Sequence, residues 1–404
     1  MISKVKVIIN RTTCLLIHAF LRRLPARKEK HYDVVVVGCN LIGDYILWIS
    51  TLESYRKKYE GKRSLLICND IVEEISVLSN VFTDVISFNV KHIVNSPKYH
   101  YNLMKRLRKI SAEHVISPAY KHQVPADLIS AMVNAPQKTC YRTHRITTIK
   151  GKIGSFIWKR SRRIVDSYFD GFYNDFIDYP DGKDHSEIKT IEYFTQKVID
   201  DSYSYRLSDI SFLTIGFKCP VSSPFVFLSA SSSRTIKDWP IERFAEVMEV
   251  IPSSFAILLS GHGEYDMKKA EELINADGGK HVVYNYVNKT TVVEMIGLIS
   301  NSTFVIGNDS AAVHIAAAAR VPSICITHGA CFGQFVPYPI SVPELDYHPR
   351  CVYKKMDCFG CDYNCIKDYK EPLYCLRQIS VEMVAKELEN LLRTIKEKKD
   401  VNRI

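Results

Sequence analysis

The stretch GNDSAAVHIAAAARVPSICITHG, residues 307–329, decides the fold. It reads as a short apolar strand ending at a tight Gly307-Asn308 turn, then a helix opening at Asp309 and Ser310, then a second buried strand ending at His328 and Gly329. A helix N-terminus leaves backbone N–H groups unpaired and carries partial positive charge, so such a turn suits phosphate. Ser310 and His314 stand four residues apart and share a helix face, with Asp309 at the mouth. Open α/β sheets hold phosphate-bearing ligands at turns of this kind.

Outward from this stretch the chain alternates strand and helix. Strands are expected at 225–228, 255–260, 282–284, 303–306 and 323–327, with helices at 241–251 and 265–274 and one ending near Ser300. Thr291 and Glu294 form the capping box that starts this last helix. An earlier alternation places strands at 33–37, 64–68, 84–88 and 113–117. Its helices are expected at 44–59, 71–79, 97–109 and 125–134, with a further one at 186–199. Both runs predict parallel sheets covered on two faces, so the fold class is α/β with two doubly wound, Rossmann-like domains. The 404 residues and 46% apolar content suffice for two cores. The expected divisions are a basic amphipathic segment at 1–30, a first domain at 31–205, a linker at 206–224 and a second domain at 225–385. A C-terminal helix and tail follow at 386–404.

The net charge of +10 is unevenly placed. Residues 1–30 carry eight Lys or Arg against Glu29 alone, and residues 142–163 carry eight more with no acid. Such runs suit an anionic surface, unless they are merely solvated loops. The first run is interleaved with Val7, Ile8, Ile9, Leu15, Leu16, Phe20 and Leu21, as in interfacial helices. No apolar run reaches the roughly 18 residues of a membrane span. The expectation is a cytoplasmic protein, peripheral at the cytosolic face of the inner membrane.

A second polar loop, SASSSRTIKDWP at 229–240, follows the strand at 225–228. Ser231 and Ser232 offer hydroxyls, Lys237 offers a point charge for a diphosphate, and Pro240 suits a helix start. Taken alone it could be a solvated loop packed by Trp239. After the strand at 255–260 comes GHGEYD, where Glu264 or Asp266 could accept from ribose hydroxyls or simply serve as first-turn acids.

Together, Ser231 to Pro240 and Gly307 to His314 resemble the glycosyltransferases of family 9, the heptosyltransferase-like enzymes of lipopolysaccharide and surface-glycan assembly. Gly43-Asp44, after the first strand, resembles that family's first-domain Gly-Asp pair, and the resemblance spans most of 33–385. It implies a GT-B architecture, two Rossmann-like domains facing a central cleft, with a nucleotide-sugar donor held by the second domain. It implies that Lys237 binds the donor diphosphate and that Asp309, Ser310 and His314 line the phosphate and sugar site, with Gly307 in that motif. Gly329 would lie on the floor, and Asp44 would be the general base of an inverting, metal-independent transfer of heptose or another glycosyl group. The acceptor would be a glycolipid or polysaccharide. Where the family commonly has Arg before the Gly-Asp pair and Pro after it, this chain has Cys39 or Asn40 and Ser50.

Among twelve cysteines, Cys358, Cys361, Cys365 and Cys375 give C-x2-C-x3-C-x9-C within the Cys-rich segment 351–375. Four such thiolates could close a structural zinc site, the alternatives being free thiols or a disulfide. No cofactor is expected for catalysis. Two further readings compete: a sugar-nucleotide epimerase of the same architecture, and a nucleic-acid-binding protein using the basic runs and cysteines. The second lacks a recognisable binding module, so no nucleic-acid partner is expected.

Overall fold

In the first half of the chain, β-branched runs form parallel strands because each is buried on both faces. The computed structural model describes residues 2–38, 40–120, 123–142, 168–180, 182, 184–368 and 370–401. All but Arg142 of the second basic run at 142–163 lies outside them. Among the described residues the strands make two six-stranded sheets. In the first, β1 (Lys30–Val37), β2 (Ser64–Asn69), β3 (Asp84–Phe88), β4 (Ile110–Ser117), β5 (Gln137–Tyr141) and β6 (Asp175–Ile177) are ordered β3-β2-β1-β4-β5-β6. In the second, β7 (Phe225–Ser229), β8 (Ala256–Leu259), β9 (Val283–Asn285), β10 (Phe304–Asn308), β11 (Ser323–Ile326) and β12 (Arg350–Val352) are ordered β12-β11-β10-β7-β8-β9. Renumbered within its own half, the second sheet repeats the 3-2-1-4-5-6 order of the first. All the pairings are parallel. The order reverses between β1 and β4 and between β7 and β10, the switch points at which such sheets open a crevice.

The chain divides into two compact units. The first comprises 1–42, 51–184 and 189–205, and the second comprises 43–50, 185–188 and 206–404. Asp44 therefore belongs with the second unit, although it follows β1 in sequence. The helix expected over 44–59 is two helices, Ile42–Ile49 and Leu52–Lys58. Ser50 turns its hydroxyl back onto the Leu47 carbonyl at 2.9 Å, a bond that competes with helix continuation. The division between units falls at this break.

The stretch 206–224, expected as a linker, packs into the second unit. Leu207, Ile210, Leu213 and Val221 are buried, and the Arg320 guanidinium donates to the Ser208 carbonyl at 2.6 Å. The C-terminal helix, Val381–Val401, also belongs to that unit. It sinks Val384, Leu388 and Leu391 into the core that lies under β7, β10 and β11. The first core gathers Val35, Leu65, Ile67 and Val115 with Leu21 of the N-terminal helix, Ile2–Arg23.

Strands β5, β6 and β12 were not legible as apolar runs. The sequence QKTCY of β5 is polar in its first half, and its strand character comes from pairing with β4 and β6. The capping box at Thr291 and Glu294 is present, with Glu294 N–H on Thr291 Oγ1 at 3.2 Å and Thr291 N–H on Glu294 Oε2 at 2.8 Å.

Candidate active site

The switch point of the second sheet is built by a glycine and an asparagine on β10. Gly307 and Asn308 are strand residues rather than the expected tight turn. Gly307 lies opposite Ser229 of β7, and a Cβ added there would sit 2.9 Å from Ser229 Cβ and 3.0 Å from its carbonyl oxygen. Its absent side chain lets the two strand ends close up, which leaves the Ser229 and Ser310 hydroxyls 3.5 Å apart. Asn308, fully buried, accepts from Trp239 N–H at 2.9 Å and donates to the Ala230 carbonyl at 2.9 Å. One side chain thus pins both ends of the Ser-rich loop to β10.

Below the loop, Lys269 Nζ donates to Asp238 Oδ2 at 2.8 Å and to the Ala230 carbonyl at 3.0 Å, and the Tyr265 hydroxyl donates to the same Asp238 oxygen at 3.1 Å. Trp239 is buried edge-on to Phe244 and donates Nε1–H to the Ile379 carbonyl at 3.0 Å. So Asp238 and Trp239 face inward as supports. Lys237, between them and Ser232, is half-buried and has no ion-pair partner among the described residues. Ser232 bonds within its own loop, to the Arg234 carbonyl at 2.9 Å, and Ser231 is half-buried.

The helix Ala311–Ala318 begins with Ser310 as an extended N-cap whose hydroxyl caps nothing. The orphan N–H groups of its first turn are therefore left by that hydroxyl for a ligand. Asp309 is buried at this mouth, its Oδ2 3.3 Å from His328 Nε2. The two are not aligned for a hydrogen bond, and both His328 ring nitrogens lack a partner. Burial pushes His328 down to about 4, against the pull of Asp309 and helped by Lys237 and Arg234. Burial lowers His314 to about 4 in the same way, opposed by Asp309 and assisted by Lys237. His314 Nδ1 is 2.8 Å from the Tyr338 hydroxyl, with the two rings stacked 8° from parallel. Both histidines are neutral at pH 7, so the positive charge here comes from Lys237, Arg234 and the helix N-terminus.

Gly43, beside Asp44, lies against the start of this helix. A Cβ there would be 3.1 Å from His314 Cδ2 and 3.5 Å from Ala311 Cα. Asp44 itself stands in the first turn of Ile42–Ile49 and is half-buried.

The proposed ribose acceptors are arranged differently. Asp266 Oδ2 accepts from His262 N–H at 2.7 Å, and a Cβ on Gly261 would strike that carboxylate. Asp266 thus closes its own loop, while Glu264 is exposed in the first turn of Glu264–Asp277.

The Cys-rich segment forms a wall over Gly329. A Cβ at Gly329 would lie 2.3 Å from Phe359 Cδ1; its N–H donates to Cys375 Sγ at 3.3 Å and its carbonyl accepts from Gly360 N–H at 2.8 Å. The segment is also sewn to the Ser-rich loop. Thr235 Oγ1 donates to Glu371 Oε2 at 2.7 Å, Leu373 N–H donates to the Ile236 carbonyl, and Arg234 lies 4.5 Å above the Tyr363 ring. Among the described residues, which include Cys358, Cys361, Cys365 and Cys375, no three His, Cys, Asp or Glu side chains converge as metal ligands. Burial raises Cys361 and Cys375, and nearby thiols raise them further, Cys365 and Cys358 for the first and Cys358 and Cys361 for the second.

Sequence reasoning missed the parts played by Asn308, Asp238, Lys269 and Tyr363. A buried Asn at the end of a strand was the one signal open to it, since such a side chain must find partners.

The arrangement has two chemically distinct sides. Lys237, the Ser229 and Ser310 hydroxyls and the helix N–H groups suit a diphosphate, whereas the Asp309 carboxylate suits sugar hydroxyls. Comparison with known proteins agrees with a sugar-nucleotide enzyme. Residues 100–341 match the model for glycosyltransferase family 9 (heptosyltransferase). Lipooligosaccharide heptosyltransferase 2 of Campylobacter jejuni is 24% identical over 230 residues, covering 54% of this chain and 67% of that protein. A family 9 glycosyltransferase from Veillonella parvula superposes with a TM-score of 0.64 at 17% identity, over 92% of this chain and 99% of that one. The E. coli heptosyltransferase WaaC, solved with ADP-2-deoxy-2-fluoro heptose, gives 0.60 at 16% identity, over 90% and 99%. The chain belongs to glycosyltransferase family 9, and is a glycosyltransferase of two Rossmann-like units.

Proposed function

We propose that this glycosyltransferase is an inverting heptosyltransferase. It takes a heptosyl group from ADP-heptose and joins it to a hydroxyl of a lipid-linked or surface-glycan acceptor of the lipopolysaccharide type. The observation that carries this reading is Lys237, half-buried and without an ion-pair partner among the described residues, on a loop pinned by Asn308 beside an uncapped helix start. A leaving diphosphate supplies the missing negative charge. The heptosyl and ADP assignments are supported by the relatives' names, and the acceptor by the lipooligosaccharide named for one of them.

In the proposed reaction the acceptor hydroxyl loses its proton to the Asp44 carboxylate as its oxygen attacks the anomeric carbon. The bond from that carbon to the diphosphate oxygen breaks from the opposite face, and the electron pair leaves with the nucleotide. Lys237 and the N–H groups of Ala311–Ala318 stabilise the charge that develops there. Asp309 and neutral His314 orient the sugar hydroxyls. Because Asp44 lies in a helical first turn, its carboxylate is stabilised and is a weak base in water, so acceptor binding must desolvate it. With Lys237 and the helix start supplying the positive charge, transfer should persist in EDTA.

The test is thermal stabilisation by ADP and ADP-heptose against UDP and GDP counterparts, followed by detection of a heptosylated acceptor by mass. Stabilisation by none of them, together with unchanged behaviour of Lys237→Ala, would overturn the donor site.

A further inference from the structure

The N-terminal helix Ile2–Arg23 is held to the first unit by one face only. Cys14, His18 and Leu21 are buried, Asn10 Nδ2 donates to the Asn95 carbonyl at 2.8 Å, and Arg11 Nε donates to Asn95 Oδ1 at 3.0 Å. The other face is apolar and open. Ile8 is 63% exposed, Ile9 58%, Leu16 66% and Phe20 61%, with Leu15 at 40%. Ile8 and Leu15 stand two helical turns apart, as do Ile9 and Leu16, and Phe20 follows Leu16 by one turn, so they form one stripe, about 18 Å long from Ile8 to Phe20 at a helical rise. Thr12, within the stripe, has its hydroxyl on the Ile8 carbonyl at 3.0 Å, so it brings no unsatisfied polar group. Single exposed hydrophobics are ordinary; a continuous helical stripe of them marks a contact surface.

The charges around the stripe have one sign. The helix contains no acid, and Lys6, Arg22 and Arg23 are exposed without a carboxylate partner among the described residues. At its C-terminal end lies a cavity of about 250 Å³ lined by Arg22, Lys28, Arg108 and Lys138, with no acid in the lining. Backbone carbonyls hold three of these cations: Lys28 Nζ on Arg108 at 2.9 Å, Arg108 on Pro25 at 2.8 Å, and Lys138 Nζ on Ser130 at 2.8 Å. Carbonyls orient the cations without neutralising them. Burial, with Arg22 and Lys28 nearby, pushes Lys138 down to about 8, the response of a cation lacking its counter-ion.

We propose that this helix docks the protein on an anionic phospholipid bilayer, its Ile8 to Phe20 stripe entering the interface while a headgroup phosphate seats among Arg22, Lys28, Arg108 and Lys138. An apolar helix face combined with basic charge gives the two signals that stable peripheral attachment needs. A second copy of the chain is a poorer occupant, because pairing two such helices brings like charges together. None of the described helices is long and apolar enough to cross a membrane, so the attachment is parallel to the surface. The inference stands independently of the donor and acceptor assignments.

The experiment is flotation of the full chain with vesicles of phosphatidylcholine alone or of phosphatidylcholine with phosphatidylglycerol. The chain floats with the anionic vesicles, and less so as salt rises. Leu16→Asp with Phe20→Asp abolishes flotation, and Arg23→Gln with Lys28→Gln weakens it roughly fivefold per charge removed. Circular dichroism melting of the variants matches that of the parent. Three results would overturn the proposal. One is equal flotation with neutral vesicles, and another is a vesicle-free dimer that Leu16→Asp with Phe20→Asp dissolves. The third is stabilisation by inorganic phosphate in a chain that does not float.

Discussion

Lys237 is the side chain on which donor binding most depends. Lys237→Ala removes a charge-assisted contact of about 1.5–3 kcal/mol, so ADP affinity should fall by roughly 10- to 100-fold in calorimetry. The melting temperature without ligand should stay put, because the amine has no protein ion pair to lose among the described residues. Lys237→Arg should recover part of the affinity. Asn308→Leu should behave differently. It strands the Trp239 N–H, at about 1–3 kcal/mol, and takes from the Ala230 carbonyl one of its two donors, leaving it Lys269, so stability and donor affinity should fall together. A melt that does not move would show that Asn308 is no pin. The sequence pointed to Lys237 through its loop and to Ser310 through its helix start. It gave no hint that Asp266 spends its carboxylate on His262 N–H, because that bond depends on how one loop closes.

At the scale of elements, the N-terminal helix carries a pH dependence. His18 is fully buried against His100 and Phe172, ring centroids 5.8 Å from each, and neither of its ring nitrogens has a partner. Burial pushes its pKa down to about 3, reinforced by His100, Arg22 and Lys138. The unfolded chain, near 6.5, therefore binds the proton more readily than the folded one. The contribution is whole above about pH 6.5 and is lost as pH falls toward 3, at up to about 1.4 kcal/mol per unit for this histidine. Melting curves between pH 7.5 and 5 should show the fall, and His18→Leu should remove its share of the slope while raising stability at pH 7. An unchanged slope in that variant would move the dependence to His100, His114, His314 or His328, whose pKa values are lowered too. The Cys-rich segment is the other element of consequence. Gly329→Ala drives a methyl into Phe359, an overpacking of about 1–3 kcal/mol, and should weaken donor binding by displacing that wall.

For the whole molecule, transfer and donor binding are separable. Asp44→Asn should abolish turnover while leaving ADP affinity within about twofold, since the general base meets the acceptor and not the diphosphate. A variant that retains turnover would remove Asp44 from the proposed mechanism. Activity measured before and after EDTA treatment should agree. The repeated 3-2-1-4-5-6 order explains why one chain offers two switch points, and the 307–329 stretch lies at the second of them.

The sequence by itself determined the alternation of elements, the two-sheet class, the helix start at Ser310 and the capping box at Thr291. Each of these rests on periodicity or on bonds between residues at most four apart, so the information is local. Tertiary structure decided that Gly307 and Asn308 belong to a strand, that β5 and β12 exist, and that the segment 43–50 joins the second unit. It also decided that Asn308 reaches Trp239 and Ala230, 69 and 78 positions away, and that Cys375 of the Cys-rich segment accepts from the Gly329 N–H. Those contacts follow from which buried polar groups and ring faces remain to be satisfied once the sheets have formed, and no local pattern records them.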